Sequence, residues 1–369
     1  MRDIDRFRGC LIGGAAGDAL GYAVEFLDEG TIHERYGEGG ITDYRLINGT
    51  AQISDDTQMT LFTANGLLLC TTRAQMKGLQ LSYIDFIRDM YKCWLRTQEG
   101  TFPTRNEFRK SWLLNIPQLY DMRAPGVTCT KAIATGAQGT VDKPENDSKG
   151  CGGVMRVAPI GLYFCDYDMD IEQSDMLAAD AAALTHGHEL GYIPAAALAH
   201  IIRRISEGGM GIKEAANDAI KAMQALFPDA EHIGEFTEIT ERALSLAVSD
   251  MSDIDAIHSL GEGWVAEETL AIALFCAARY ENDFDKALIT AVNHKGDSDS
   301  TGAVIGNILG AYLGYEKIGD KYKTALELSD TILEIADDLF NDCKMSEFGK
   351  IYDPVWDRKY IRAVYPFMR

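Results

Sequence analysis

The chain lacks the usual markers of several functional classes. Its eight cysteines (Cys10, Cys70, Cys93, Cys129, Cys151, Cys165, Cys276 and Cys343) are scattered, with no C-x-x-C pair. That spacing argues against a zinc ribbon or a disulfide framework, and Cys70 and Cys276 lie in apolar helical stretches, so buried reduced thiols are expected. Basic charge is scarce: 35 Lys and Arg face 56 Asp and Glu, for a net charge of -21. Such an acidic surface repels phosphate polymers and anionic lipid, so neither nucleic acid nor membrane is an expected partner. Long hydrophobic runs are missing too. The stretch 193–202 is among the longest and is too short to cross a bilayer. The N-terminus, Met1-Arg2-Asp3-Ile4-Asp5-Arg6, has no apolar core of a signal peptide. A soluble cytoplasmic protein is therefore expected.

Proline is sparse, at nine residues, and falls mostly between helical segments. Helical periodicity recurs at 5–23, 55–69, 82–96, 105–115, 173–185, 193–206, 212–226, 238–248, 266–280, 284–292, 300–313 and 325–339. Strand signals are few. The best is 40–46, with Ile41, Tyr44 and Leu46, read as a short hairpin arm. The stretch 141–150 reads as an exposed polar loop. No Gly/Ser linker, charge block or fixed-period repeat divides the chain, so residues 1–369 are read as a single all-α domain.

Two acidic clusters stand out against this background. Ser54-Asp55-Asp56-Thr57 opens one apolar helix, and Gly296-Asp297-Ser298-Asp299-Ser300-Thr301 opens another. Each alone is explained by capping: a serine or aspartate caps the helix and acids complement its dipole. A cap needs one acid or hydroxyl, however, and the second cluster offers two acids and three hydroxyls. Carboxylates grouped in a fold repel unless cations sit among them, and oxygen donors of this kind suit Mg²⁺, Mn²⁺ or Ca²⁺ rather than zinc. No EF-hand loop accompanies either cluster. The Gly- and Ala-rich helix after Thr301 is built to approach a neighbour closely.

Other candidates are less specific by themselves. Gly150-Cys151-Gly152-Gly153-Val154-Met155-Arg156 is a glycine-rich turn before a helix, whose backbone N–H groups suit a diphosphate or an ordinary turn. It has no P-loop Lys and follows no strand, so neither a Walker nor a Rossmann reading applies. Glu25 ends an otherwise apolar helix that contains Gly17-Asp18-Ala19-Leu20-Gly21. His186, in Thr185-His186-Gly187-His188, is a ligand contact or a packed cap, and no His-Glu-x-x-His pattern supports zinc. Trp264, in Gly261-Glu262-Gly263-Trp264, is a base-stacking or core residue.

Together these motifs resemble the ADP-ribosylglycohydrolase family, which includes dinitrogenase reductase-activating glycohydrolases and ADP-ribosyl-arginine hydrolases. The resemblance runs in order from Gly13-Gly14-Ala15-Ala16-Gly17-Asp18 through Ser54-Asp55-Asp56-Thr57, the run 152–161 and Leu184-Thr185-His186 to Trp264-Val265-Ala266-Glu267-Glu268 and Asp297-Ser298-Asp299-Ser300. It implies an all-α fold and a centre of two Mg²⁺ or Mn²⁺ ions. By position, Ser54, Asp55, Asp56, Asp297, Asp299 and Ser300 are the implied ligands. Many relatives carry Thr where this chain has Ser54 and Ser300. The Asp-Ser-Asp-Ser-Thr-Gly form resembles the arginine-specific branch. The implied reaction is hydrolysis of the bond between ribose and a modified protein side chain, most directly arginine, with ADP-ribose as product. The acid/base role is assigned first to Asp56, then to Asp55 or Glu25. Cys151, Gly152, Gly153, Val154 and Met155 would cradle the diphosphate, with His186, Glu262 and Trp264 near the ligand. Serine-linked or O-acetyl-ADP-ribose is an alternative substrate. A non-hydrolytic role, occluding an ADP-ribosyltransferase partner, is an alternative function.

Overall fold

The computed structural model describes residues 2–103, 110–166, 169–346 and 350–364. The chain runs through α1 (Ile4–Gly21), α2 (Glu29–Tyr36), a hairpin of β1 (Leu46–Ile47) and β2 (Thr50–Ala51), α3 (Asp55–Lys77), α4 (Tyr83–Glu99) and α5 (Val127–Ala134). It continues through α6 (Ala158–Tyr163), α7 (Ile171–Ala183), α8 (Glu189–Glu207), α9 (Ile212–Leu226), α10 (Ile233–Leu246) and α11 (Asp253–Leu260). Last come α12 (Ala266–Arg279), α13 (Phe284–Val292), α14 (Ser298–Leu313), α15 (Asp320–Lys323), α16 (Ser329–Asn341) and the short α17 (Pro354–Trp356). The buried apolar side chains form one contiguous cluster. The all-α architecture expected from periodicity is the one observed, as a single compact body.

The departures have local causes. Of the expected arm 40–46, only Leu46 is in a strand. The Asn293 side chain accepts from Ile41 N–H at 2.7 Å and donates to its carbonyl at 2.9 Å, taking the groups a ladder would use. Pairing is confined to Leu46↔Ala51 and Ile47↔Thr50. Asn48 and Gly49 between them have φ of 53° and 81°, as a tight hairpin turn requires. The helix expected at 325–339 begins only at Ser329, because Ala325 and Leu328 have positive φ. The one expected at 105–115 falls partly outside the described residues, and Trp112–Asn115 is a 3₁₀ turn ahead of Pro117. The stretch 141–150 is held more firmly than an exposed loop. Asn146 donates to the Thr185 carbonyl at 2.9 Å, and the Lys149 carbonyl accepts from Ala266 N–H at 2.9 Å. All eight cysteines are free, seven of them buried and Cys151 half-buried.

One helix pair sets the geometry of everything that follows. Gly9, Gly13, Gly17 and Gly21 recur every four residues along α1 and so share one face. They lie against Gly310, Gly306, Gly302 and the Ser298 carbonyl of α14. A Cβ added at Gly13 would come within 2.3 Å of the Gly306 carbonyl oxygen, and one at Gly306 within 2.0 Å of the Gly13 carbonyl. No side chain fits between the two backbones. Asn307 extends the seam by donating to the Cys10 carbonyl at 2.8 Å. The start of α14 is thereby locked beside the end of α1.

Candidate metal and ligand site

Each acidic cluster begins with its own cap. Ser54 Oγ accepts from Asp56 N–H at 3.2 Å, and Asp297 Oδ1 accepts from Ser300 N–H at 3.2 Å. Both helix starts therefore present acids, hydroxyls and the positive end of a helix dipole to the same place. Asp18, on α1, ties the first cluster down. It accepts from the backbone N–H groups of Ser54 and Thr57 and from the Thr57 hydroxyl. The α1–α14 seam fixes the second cluster against the same helix. The clusters meet directly, through residues 244 apart in the chain: Ser300 Oγ donates to Asp56 Oδ2 at 2.9 Å.

The meeting point is the floor of a cavity of about 480 Å³. Glu25, Asp55, Asp56, Asp297, Asp299 and Ser300 all line it. Oxygens of Glu25, Asp297 and Asp299 lie within 4.8 Å of one another, all buried. Five buried carboxylates with no cationic side chain among the residues lining the cavity cannot all hold a proton-free charge comfortably. Burial and neighbouring acids push Glu25 up to about 9 and Asp55 up to about 8, and raise Asp56 and Asp299 well above the usual carboxylate range. Glu25 Oε2 is buried without a hydrogen-bond partner. Hydrogen bonds offset the strain only in part; Gly126 N–H, for example, reaches Asp55 Oδ2 at 3.3 Å. An all-oxygen donor set with an orphaned carboxylate oxygen and raised proton affinity fits hard divalent cations. Ser54 sits just behind this surface, fully buried and occupied as the cap of α3.

One wall is the glycine-rich segment, a 3₁₀ turn over Cys151–Arg156. It is pinned to the Trp264 region, since Cys151 N–H donates to the Trp264 carbonyl at 3.2 Å. Cys151 Sγ donates to Asp297 Oδ2 at 2.7 Å, joining wall to floor. At Gly152 a Cβ would meet Cys129 Sγ and His186 Cε1, each at 2.7 Å. Cys151, Gly152, Met155 and His186 line the cavity. Gly153 and Val154 do not. Gly153 packs on Ala182 and Gly191, and Val154 is fully buried, because a 3₁₀ turn repeats every three residues, so Gly152 and Met155 share the cavity face while the two residues between them turn into the core. His186 is buried beside the Arg156 guanidinium and stays neutral, its pKa pushed down to about 3 by burial and then by that charge. Thr185 Oγ1 bridges the two, bonding His186 Nδ1 at 2.8 Å and Arg156 Nη2 at 2.7 Å.

At the mouth, Trp264 is 40% exposed and Phe26 70% exposed, with ring centroids 6.1 Å apart and planes 23° apart. The core alternative for Trp264 thus gives way to an open aromatic pair. Glu262 points elsewhere: it pairs with Lys295 at 2.8 Å and lines a neighbouring cavity. Sequence reading named Asp18 within a motif but gave no role to its carboxylate, which organises α3, and passed over the wall of Met122, Pro125, Gly126, Val127 and Cys129. The Gly17-Asp18 motif was the available signal for the first; the second has none, because that wall is loop and a short helix.

With this geometry in view, the comparisons with known proteins are consistent. A solved chain described as an "ADP-ribosylglycohydrolase-related protein complex" superposes with a TM-score of 0.61, at 26% identity, over 92% of this chain and 98% of its own. ADP-ribosylhydrolase ARH3 of Mus musculus is 25% identical over 353 residues, 88% of each chain. ADP-ribosylarginine hydrolase Tri1 of Pseudomonas putida is 25% identical over 342 residues, covering 92% of this chain and 78% of the relative. The sequence model described as ADP-ribosylglycohydrolase matches residues 1–347, and the chain belongs to that family.

Proposed function

We propose that the whole chain, residues 1–369, is one metal-dependent hydrolase domain that removes ADP-ribose from modified protein side chains, N-linked arginine first among them. The observation that carries this reading is the convergence of five carboxylates from three separate elements on one cavity floor, beneath a glycine-rich wall. Asp55, Asp56, Asp297 and Asp299, with the hydroxyls of Ser54 and Ser300, would hold two Mg²⁺ or Mn²⁺ ions. Bound there, the ions would offset the clustered charge and bind ribose hydroxyls.

The side chains themselves supply the remaining chemistry. The glycine-rich turn at Cys151 and Gly152 lines the side of the cavity on which a diphosphate would lie. Neutral His186 can accept or donate a hydrogen bond without adding charge. Hydrolysis breaks the bond between the anomeric carbon and the guanidino nitrogen; water oxygen bonds to the carbon, and a proton goes to the nitrogen. A carboxyl group must take one proton from water and return one to the leaving nitrogen. Asp56 has one oxygen engaged by Ser300, whereas Glu25 keeps Oε2 unpartnered and lines the same cavity. Glu25 is therefore our first choice for the proton-transfer role, with Asp56 as a ligand and second choice.

The arginine preference rests on the Asp-Ser-Asp-Ser-Thr-Gly motif, on the likeness to Tri1, and on the open Phe26–Trp264 pair, which suits a flat cation. The test is release of ADP-ribose, in Mg²⁺ or Mn²⁺, from matched proteins modified on arginine or on serine. Faster release from arginine is expected. Equal or faster release from serine would overturn the linkage, and no release from either would overturn hydrolysis.

A further inference from the structure

Glu25 and Phe26 have a second side. A separate cavity of about 310 Å³ lies against them, with none of the acidic floor's aspartates in its lining. Arg35, near the end of α2, and Arg45, just before β1, both line it. Neither arginine makes an ion pair or hydrogen bond among the described residues, in a chain where acids outnumber bases 56 to 35. Tyr22 and Gln52 add a phenol and an amide to the lining, and Phe26 and Ile47 add an apolar wall. The volume is at the small end of ligand cavities and suits a mononucleotide-sized molecule. Two free guanidinium groups offer planar, charge-assisted donors, which match phosphate oxygens better than any neutral ligand.

We propose that this second cavity binds a phosphate-bearing aromatic ligand of mononucleotide size, with its phosphate between Arg35 and Arg45 and its ring against the Phe26–Ile47 wall. The site is distinct from the acidic cavity and holds whichever linkage that cavity cleaves. Because Glu25 and Phe26 line both cavities, an occupant here presses on the segment that carries Glu25 into the acidic site.

The full chain in Mg²⁺ is photolabelled with 8-azido-AMP, the attachment sites are mapped by mass spectrometry, and 5′-AMP and adenosine are titrated by calorimetry. Labelling is expected within 22–27 and 45–52. The double substitution Arg35→Ser/Arg45→Ser should weaken AMP binding at least about tenfold and remove that label. Arg35→Lys/Arg45→Lys, which keeps the charge but not the planar donors, should bind AMP more weakly than the parent and more tightly than the serine variant. Both residues are exposed, so the variants should fold, and a thermal melt checks it. Labelling confined to 122–129 and 150–155, adenosine binding as tightly as AMP, no AMP binding, or unchanged binding by the serine variant would each overturn the proposal. Hydrolysis is read separately, so its failure would leave this result intact.

Discussion

Two groups of buried charge in this molecule are built on opposite terms. Between α7, α8 and α9, His200 bonds Asp175 Oδ2 at 2.7 Å and Asp218 Oδ2 at 3.2 Å, and Arg204 bonds Asp218 at 2.7 Å. Nearby, Arg203 bonds Ser174 at 2.9 Å and Glu207 at 2.9 Å. Acids and bases there answer one another. At the other cluster Glu25, Asp55, Asp56, Asp297 and Asp299 have hydroxyls, backbone N–H groups and a thiol, but no cationic side chain lines their cavity, where His186 is neutral. A fold can compensate buried carboxylates with its own cations, as it does around His200. Where it leaves them uncompensated, the balance falls to bound protons or to a ligand cation, and that contrast sets the proposed site apart more sharply than acidity alone.

The largest expected effect breaks the uncompensated group. Asp55→Asn and Asp297→Asn should each lower ADP-ribose release about a thousandfold. Each should leave the metal-free melting temperature unchanged or raised, because a repelling charge is lost. A falling melting temperature with retained turnover would mean these acids are structural. The converse substitution lies in the compensated group. His200→Ala leaves Asp175 buried without its partner and should cost about 3 kcal/mol in denaturant unfolding, with turnover per folded molecule kept. Next comes the seam that holds the clusters together. Gly302→Ala puts a methyl 2.4 Å from the Gly17 carbonyl oxygen. It should cost about 2 kcal/mol and also weaken divalent-cation binding, measured by calorimetry; unaltered binding would show that the seam does not set the spacing.

The smallest effect is on pH. Glu25 and Asp55, near 9 and 8 in the fold, titrate near 4 in an unfolded chain. Their protonated forms favour the folded state. That contribution is fully present below about pH 4 and is lost as pH rises through 8 to 9. Metal-free protein in EDTA should therefore melt several degrees lower at pH 8.5 than at pH 5.5, and excess Mg²⁺ should flatten the difference. Parallel profiles with and without cation would remove the electrostatic argument for a metal.

Much of the architecture was legible because its signals are local. Apolar periodicity marked most helices, and Ser54 and Asp297 marked two helix starts. Signals that are weak or overridden escaped notice. α5 begins Val127-Thr128-Cys129-Thr130, in which every residue but Cys129 is β-branched, a composition that disfavours a helix until packing imposes one. α2 and α11 have eight residues each, too few for a periodic pattern to rise above chance. At 40–46 alternation implied a strand, and one asparagine 252 residues away took its hydrogen bonds.

By itself the sequence determined what each segment could contribute: the acids at two helix starts, the glycines spaced every four residues, and the turn before Met155. These follow from backbone geometry and side-chain chemistry within a few residues. Only the tertiary structure decided that Asp56 and Ser300 touch, that Glu25 joins Asp297 and Asp299 with an oxygen left free, and that Arg35 and Arg45 line one cavity. Those facts depend on how closely α1 and α14 approach and on where loops return after long detours. No local pattern encodes such distances; they emerge only when one core is packed.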